Sequence, residues 1–500
     1  MNRLTELGLV LVATLVPAGW SLAADETAAG SAPVTVYTKD NAPAAPKVED
    51  LPLKESVSQY GIRWTFEKPA RVGQFVSGDW YVVGPVTVAS VSPKPLYDQD
   101  VTDPSADEKR SYAGRYARNG STLNLSVKGW PGFDSRTQGH RYDPNCRALF
   151  PLAMKPGDAL VSTISLADTN VRNRMLGPSD HKSVTAIRIG AVLTCLAEPA
   201  PDDAFRPSYC DRSQTIYLSR NLKRELLPRL KRTRSASKPQ EFAKVFQKPW
   251  IDTVFFGFCA PSENMPQYGR EVARAAGMGT LLLCCDFTPA EKEGLLIGIV
   301  QAGVDYWGAV RAGHPGWQAH GGHGSGRKWI LVFSGILLGD PDMQNPYAKY
   351  PRLKFGEDMQ TMWGDGWTGA KALYAGHVGK EGSRGQKGWG PYEHLPPEKW
   401  EARIGEGYRH CCTSIAWVGE ALAIRLMRAE KIWNYDAFLA YCDRWMTEDD
   451  AEFVKKVKDA KGWDFSSSQR RTWDRFVDEM WAKYRPTLQP PATETWKRKP

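Results

Sequence analysis

The sequence predicts an α+β multidomain protein in which an N-terminal β-sandwich is followed by an α-helical (α/α) toroid-like domain. Two patterns along the 500 residues indicate this. Short β-branched and aromatic runs between turn signals are typical of residues 56–219, whereas apolar residues at helical spacing are typical of residues 250–490. A composition that is 42% hydrophobic and 24% charged excludes a disordered chain and a coiled coil.

The N-terminus has the pattern of a secretory signal peptide over residues 1–23. Arg3 provides a positive start, residues 7–16 are apolar, and Ser21 and Ala23 are small residues near the cleavage position. An uncleaved anchor is the alternative, but the apolar run is shorter than the roughly 20 residues of a membrane span. We therefore expect a secreted or periplasmic protein with no membrane span after signal cleavage, and we predict a linker or arm at residues 24–55.

The predicted β-sandwich domain covers residues 56–219. Its strands are expected where apolar and polar residues alternate or where β-branched residues cluster, at residues 62–66, 80–83, 86–88, 123–127, 159–164 and 186–193. A strongly basic connector follows at residues 220–249. It is either a patch for a polyanion or a solvated connector helix, and we favour the helix.

The second domain begins with a change to the helical period at about residue 250. Thr288, Pro289 and Glu291 form the sequence of a capping box with Pro at the first helical position. Helices are predicted at residues 289–304, 329–338, 414–429, 435–446 and 470–484, with Asn434 as the cap of the fourth. Paired inner and outer helices around a cleft would produce this pattern.

Nine cysteines include two pairs of neighbours, Cys284–Cys285 and Cys411–Cys412. Adjacent side chains in a helix point about 100° apart, so we expect buried thiols at both pairs. Cys146, Cys195 and Cys210 are the candidates for one disulfide in the β-rich half. No CxxC or CxxH spacing is present, and the sequence predicts no metal site and no cofactor.

Histidine is concentrated between residues 314 and 410, which contain six of the eight histidines in the chain. The densest part is a loop at residues 313–326 with six glycines and with His314, His320 and His323. Imidazoles transfer protons near neutral pH, and Arg327 at the end of this loop could hold a carboxylate through two parallel hydrogen bonds. We favour a catalytic base with an anion clamp. A metal site, a phosphate cradle and a purely structural loop are the alternatives.

Further candidates are spread along the helical half, and each has a structural alternative. Asn264 or Tyr268 faces a cleft, or Ser262 or Asn264 only caps the helix that starts there. Tyr408, Arg409 and His410 lie together before a helix, where at most two of them can serve one site. Tyr392 lies in an aromatic loop. The sugar-stacking platforms or core anchors are Trp317, Trp363, Trp367 and Trp389.

An exported chain with a β-sandwich and a toroid-like helical half resembles polysaccharide lyases that act on uronate polymers, such as alginate, glucuronan and glycosaminoglycan lyases. The resemblance covers roughly residues 56–490 and departs from the family in order, because the helical domain usually comes first there. It implies β-elimination, with His323 or His320 as base or neutraliser, Arg327 as carboxylate clamp and Asn264 as a second neutraliser. Tyr408 and Tyr392 compete for the role of acid.

The predicted function is therefore a polysaccharide lyase that cleaves an acidic, uronate-containing glycan. A net charge of +9 suits such a partner and is too diffuse for a nucleic-acid tail. One alternative is a glycoside hydrolase on an α/α scaffold, which needs two carboxylates from Asp286, Asp305, Asp365 and Glu393. The other is a non-catalytic glycan-binding or cell-surface protein. The substrate-binding candidates are Trp317, Trp363, Trp367, Trp389, Arg409 and His410.

Overall fold

A computed structural model of the chain describes residues 34–488, except 105–108, 110–114, 130–131, 133, 136–141, 168–172, 174, 177–185, 254–259, 383–384, 449 and 466–471. The predicted signal peptide lies outside the described residues, as does part of the predicted arm. Within the described part the molecule is a mixed α+β protein with a curled sheet and a helical region, which confirms the mixed class.

The strands lie in the N-terminal half, apart from four short ones in the helical region. They are β1 Leu53–Gln59, β2 Ile62–Gln74, β3 Trp80–Val83, β4 Val86–Ser92, β5 Leu96–Tyr97, β6 Ala117–Arg118, β7 Ser121–Leu123, β8 Leu152–Met154, β9 Ala159–Ser165, β10 Ile187–Leu196, β11 Gly316–Trp317, β12 Lys354–Phe355, β13 Thr361–Trp363 and β14 Ala372–Tyr374.

Eight strands form one sheet in the order β7-β9-β10-β3-β2-β4-β8, with β1 paired to β2. All of its pairs are antiparallel except β10 with β3. The long strand β2 pairs with β4 through its first half and with β3 through its last residues. The sheet curls so far that the Trp64 indole of β2 donates a hydrogen bond to Ser162 Oγ of β9, at 3.0 Å.

Seven helices have eight or more residues within the described ranges: α1 Gly269–Leu283, α2 Pro289–Arg311, α3 Arg327–Leu338, α4 Ser414–Leu426, α5 Asp436–Thr447, α6 Asp450–Lys461 and α7 Arg475–Tyr484. Shorter helices lie at Pro239–Phe242, Pro341–Gln344, Pro346–Lys349, Gly356–Gln360, Ile404–Tyr408 and Glu430–Trp433, and a π-helical turn spans Arg409–Thr413.

Helix α2 begins as its sequence predicts. Thr288 Oγ1 accepts from Glu291 N at 3.3 Å, and the Glu291 carboxylate accepts from Thr288 N at 2.8 Å, which confirms the capping box. Helices α1 and α4 pack closely, because a Cβ on Gly277 would lie 2.9 Å from the Cα of Gly419. Glycine at this crossing lets the two backbones approach.

Several local predictions are wrong. Residues 220–249 contain short 3₁₀ turns and one four-residue helix rather than a connector helix. Asn434 ends the helix Glu430–Trp433 with φ of 53° and does not cap α5, whose preceding residue is Tyr435. The π-helical turn contains a Cys411–Cys412 disulfide where we expected thiols. Cys146, Cys195 and Cys210 are free thiols, so they form no bridge.

The hydrophobic core links the sheet with the helices. One side of the sheet encloses a cluster that includes Trp64, Phe66 and Leu193. Its other side contributes Val161 and Val192 to a larger cluster that continues through the helical region. Among the described residues, none of the helices combines the length and apolar character that crossing a membrane requires.

Candidate functional site

The glycine-rich segment at residues 313–326 is a loop, as the sequence predicts, with β11 inside it. It ends at Gly326, whose φ of 95° turns the chain into α3. The loop is tied to its surroundings by its backbone, since Gly321 N donates to the carbonyl of His377 at 2.8 Å and His323 N donates to that of His320 at 3.2 Å. Two histidines are thereby held beside a third from a distant segment.

The structure brings four of the predicted site residues together. His320 and His323 from the loop meet Trp389 from a later loop and Tyr408 from the short helix Ile404–Tyr408, and His377 joins them. We call these five residues the imidazole cluster.

His377 lies at the centre of the imidazole cluster. The centroid of its ring is 4.6 Å from that of His320, 4.5 Å from that of Trp389 and 4.3 Å from that of Tyr408. The His320 and His323 ring centroids are 5.8 Å apart. Three imidazoles and a phenol therefore lie close together.

The cluster has a buried inner part and an outer part that reaches the surface. His377 is 1% exposed, while His320, His323, Trp389 and Tyr408 are half-buried. A half-buried imidazole can meet a ligand and still be held in place by its neighbours. This graded burial is what distinguishes the imidazole cluster from the other histidines described below.

Tyr268 extends the inner side of the cluster, with its ring centroid 4.8 Å from that of His323. Burial raises the pKa of the Tyr268 phenol well above its usual value, so this phenol keeps its proton at neutral pH. Arg270 Nη1 donates to the carbonyl of Cys411 at 3.1 Å, and its guanidinium is 5.5 Å from the Tyr268 ring centroid. The cluster is thus continuous with the π-helical turn that follows Tyr408.

Arg327 lies under the loop and not beside the outer histidines. Its side chain is about one-twentieth exposed, and its Nε is 2.7 Å from Asp252 Oδ2. Its Nη1 donates to the carbonyls of His323 and Ser325, both at 2.8 Å. Arg327 therefore holds the loop backbone in place, and the structure does not bring its guanidinium to the surface as a carboxylate clamp requires.

The phosphate-cradle alternative has little support in the geometry. The backbone N–H of Gly326, at the start of α3, donates to the buried Glu357 carboxylate at 2.5 Å. Lys328 is 1% exposed and its Nζ is 2.7 Å from Asp358. The donors that would hold a phosphate are thus engaged with carboxylates.

Within the described ranges, no group of three or more His, Cys, Asp and Glu side chains is arranged to hold a metal ion.

His314 and Trp317 form a separate buried pair within the first part of the loop. Their rings are stacked with centroids 4.4 Å apart, and the Trp317 indole donates to the carbonyl of Asp252 at 3.2 Å. Burial lowers the pKa of His314 to about 4, so its imidazole is neutral at pH 7. Trp317 is 2% exposed and offers no face to a sugar.

Arg409, His410 and Tyr392 belong to a buried charge network and not to a surface site. Arg409 is 0% exposed, and its Nη1 is 3.2 Å from Glu393 and 3.3 Å from Glu406. The Glu406 carboxylate also contacts His410 Nε2, at 2.6 Å, and accepts from the Tyr392 hydroxyl at 2.5 Å. These three residues therefore support the segment that carries Tyr408.

Asn264, Trp363 and Trp367 also lie apart from the cluster. Asn264 is fully buried and bridges Gly190 of β10 to the carbonyl of Pro249, so it connects the sheet to the helical region. Trp363 is 37% exposed on β13. Trp367 lines a different cavity of about 490 Å³ with Pro396, Pro397 and Lys456.

The four carboxylates that a hydrolase would need are paired with different cations in the structure. Asp305 is buried against Arg206, and Glu393 is buried against Arg409 and Arg444. Asp286 and Asp365 are exposed partners of Arg232 and Lys371. Each of the four carboxylates is therefore engaged in an ion pair of its own.

Sequence analysis did not select His377 as a member of the site, and it named Tyr268 only as a residue that could face a cleft. The uneven distribution of histidine included His377, but nothing in the local sequence shows that it lies beside a loop more than fifty residues earlier.

Comparison of the chain with protein-family models, with curated proteins and with solved structures finds no match.

Proposed function

We propose that the imidazole cluster is the catalytic site of a polysaccharide lyase that cleaves an acidic, uronate-containing glycan by β-elimination. The observation that carries the proposal is the convergence of three half-buried residues, His320, His323 and Tyr408, around the buried His377 and beside the indole of Trp389. Imidazole and phenol are the groups that proton abstraction next to a carboxylate requires, and an indole face stacks on a sugar ring.

The proposed reaction moves one proton out of the sugar and one into it. His323 takes the proton from C5 of the uronate, the bond between C4 and its glycosidic oxygen breaks, and a C4=C5 double bond forms. Tyr408 gives its proton to the leaving oxygen. His320, as a hydrogen-bond donor to the uronate carboxylate, stabilises the charge that develops there. The buried Arg327 guanidinium is given no such role.

The histidine-based site favours a lyase over a hydrolase. A hydrolase requires two carboxylates that flank the scissile bond, and the candidate carboxylates belong to separate ion pairs. A non-catalytic glycan-binding protein would need the Trp389 face but not the convergence of three imidazoles.

Other elements of the proposal rest on the sequence. We propose secretion or periplasmic export from the signal pattern at residues 1–23, and an acidic polysaccharide as partner from the net charge of +9. We also keep the β-sandwich and the α/α toroid as the finer description of the two halves. The curled sheet with an enclosed core supports the first, and the packed pairs α1 with α4 and α2 with α3 support the second.

The test is ultraviolet absorbance of unsaturated uronate while the purified mature protein acts on a panel of acidic polysaccharides. We expect absorbance to rise with one polymer. His323→Ala should lower the rate by about 100-fold or more with an unchanged circular dichroism spectrum, because general base catalysis contributes that much. The matched control is His394→Ala, since His394 is an exposed histidine outside the cluster.

Three results would contradict the proposal. Reducing ends released without unsaturation would indicate a hydrolase. Binding of a polymer with no product would indicate a non-catalytic glycan-binding protein. Full lyase activity in folded His323→Ala would remove His323 from the site.

A further inference from the structure

Cys411 and Cys412 are neighbours in the chain and are joined by a disulfide. They lie in the π-helical turn Arg409–Thr413, which directly follows Tyr408 of the imidazole cluster and leads into α4. The disulfide therefore belongs to the backbone that positions the phenol of the site.

This disulfide contributes little to the stability of the whole chain. Cross-links stabilise proteins mainly by restricting the unfolded chain, and the effect grows with the number of residues in the closed loop. Cys411 and Cys412 enclose no intervening residue. The bond thus constrains one peptide unit, and its effect is local.

The contacts of the two cysteines connect that peptide unit to the imidazole cluster. The carbonyl of Cys412 lies so close to Gly322 that a Cβ on this glycine would overlap it, and Gly322 is between His320 and His323. The carbonyl of Cys411 accepts from Arg270 at 3.1 Å. On the other side of the turn, Thr413 Oγ1 donates to the carbonyl of Tyr408 at 3.0 Å.

The disulfide is accessible, whereas the comparable thiols are not. Cys411 is exposed. The other neighbouring pair, Cys284 and Cys285, is 0% exposed, and burial raises the pKa of each thiol to about 12. Reagents for neighbouring thiols therefore distinguish the two pairs, because a buried, protonated thiol is unreactive. Exposed disulfides are also the ones that exchange readily.

We propose that the Cys411–Cys412 disulfide is a redox modification site, which a dithiol reductant opens and which controls the geometry of the imidazole cluster. A thiolate of the reductant attacks the sulfur of the exposed residue Cys411 and displaces the thiolate of Cys412. The second thiol of the reductant then displaces Cys411. Two electrons pass to the protein, and the reductant becomes a cyclic disulfide. Each cysteine thiolate takes up one proton, so that both cysteines become free thiols.

Opening the bond frees the peptide between the two cysteines. The Cys412 carbonyl can then move away from Gly322, and the Cys411 carbonyl can leave Arg270. Both movements change the positions of Tyr408 and of the loop histidines. This inference uses the proposed function for its effect on catalysis, whereas its chemistry and its structural effect are independent of that function.

The first experiment uses the full mature protein and phenylarsine oxide, which bridges two neighbouring thiols. After treatment with dithiothreitol and removal of the reductant, we expect one arsenical per folded chain, mapped by mass spectrometry to the peptide that contains residues 411 and 412. The double variant C411S/C412S should bind none, and the control Cys146→Ser should bind as the unaltered chain does. No adduct on the reduced, folded chain, or an adduct elsewhere, would overturn the proposal.

The second experiment measures the site itself. Ring-proton NMR of the histidines should show shifts for His320, His323 and His377 on reduction, and none for the exposed His394. Unchanged ring-proton signals of His320, His323 and His377 in a chain that binds the arsenical would overturn the proposal that the disulfide controls the geometry of the cluster.

If the lyase is active, its rate should fall at least about tenfold on reduction and recover on reoxidation, since displacements near 1 Å cost up to about 100-fold. Equal lyase rates in both redox states would also overturn the proposal that the disulfide controls the geometry of the cluster. Absence of any lyase activity would refute the proposed function alone, because the adduct and the NMR shifts are measured without substrate.

Discussion

At the scale of single residues, the candidate site depends on glycines that leave room for rings. Gly321 has φ of 56°, and a Cβ at this position would overlap the ring of Tyr408 and lie 2.9 Å from His377. The missing side chain therefore allows the phenol and the buried imidazole to lie against the loop backbone. This is a positional requirement and not a matter of flexibility.

Gly321→Ala should displace Tyr408 and His377. We expect the histidine ring-proton signals of the cluster to shift and the lyase rate to fall at least about tenfold. The matched control is Gly369→Ala, because Gly369 has φ of 86° and nothing within 4 Å of its Cβ position. Each variant should lose about 1–2 kcal/mol of stability from its backbone conformation. Equal effects of both on the cluster signals would contradict the positional requirement.

The sequence indicated part of the site. His320 and His323 are close in the chain, so their association was predictable, and the histidine-rich region also includes Tyr408. The burial of Arg327 could not be predicted, because its partner Asp252 lies 75 residues earlier. A local pattern shows which residue types are present but not which side of a loop faces a buried carboxylate.

At the scale of secondary structure elements, the periodic segments were predictable and their junctions were not. Helix α2 has the capping box that its sequence predicts, whereas Asn434, a good capping residue by type, ends one helix with a positive φ and does not begin the next. Asn is favoured at the N-cap of a helix and also occurs, with positive φ, just after the last residue of a helix. The local sequence therefore does not show which of the two helix ends Asn434 occupies. A search for a period of 3.6 residues does not predict the π-helical turn either.

Glu406, in the short helix before that turn, makes the segment sensitive to acid. Burial alone raises the pKa of the Glu406 carboxyl, but Arg409 and His410 outweigh it and lower the pKa to about 2. Because this pKa is below the usual value of about 4.5, the carboxylate contributes stability above pH 4.5 that is lost as pH falls toward 2.

Glu406→Gln should lower the free energy of unfolding by about 3 kcal/mol at pH 7, since it removes one partner of a buried ion pair. The difference from the unaltered chain should shrink between pH 4.5 and pH 2, as measured by urea denaturation at several pH values. The control is Glu452→Gln, because Glu452 is 78% exposed beside Lys456. A difference that stays constant down to pH 3 would contradict the assignment.

At the scale of the whole molecule, the sheet and the helical region are connected by buried charges as well as by apolar contacts. Arg206 is 0% exposed, with its Nε 2.7 Å from Asp79, next to β3, and its Nη2 2.6 Å from Asp305 of α2. The order of a β-rich half before a helical half was predictable from the periodicity. The connection through Arg206 was not predictable, because Asp79 lies 127 residues before Arg206 and Asp305 lies 99 residues after it.

Arg206→Met should destabilise the folded chain by about 3–5 kcal/mol, because it leaves two buried carboxylates without their cation. Chemical denaturation at pH 7 measures this, and adding Asp79→Asn with Asp305→Asn should restore part of the loss. Arg188→Met is the matched control, since Arg188 and Glu263 form an exposed pair 3.7 Å apart that should contribute less than about 1 kcal/mol. Similar losses for both variants would disprove the connection.

The shared core also has a consequence during synthesis. The face of the sheet that includes Val161 and Val192 is covered by residues from later in the chain, such as Trp250 and Ile251 and the helices beyond them. We therefore expect this apolar face to stay uncovered after β10 has emerged from the ribosome, until the residues that cover it have emerged as well.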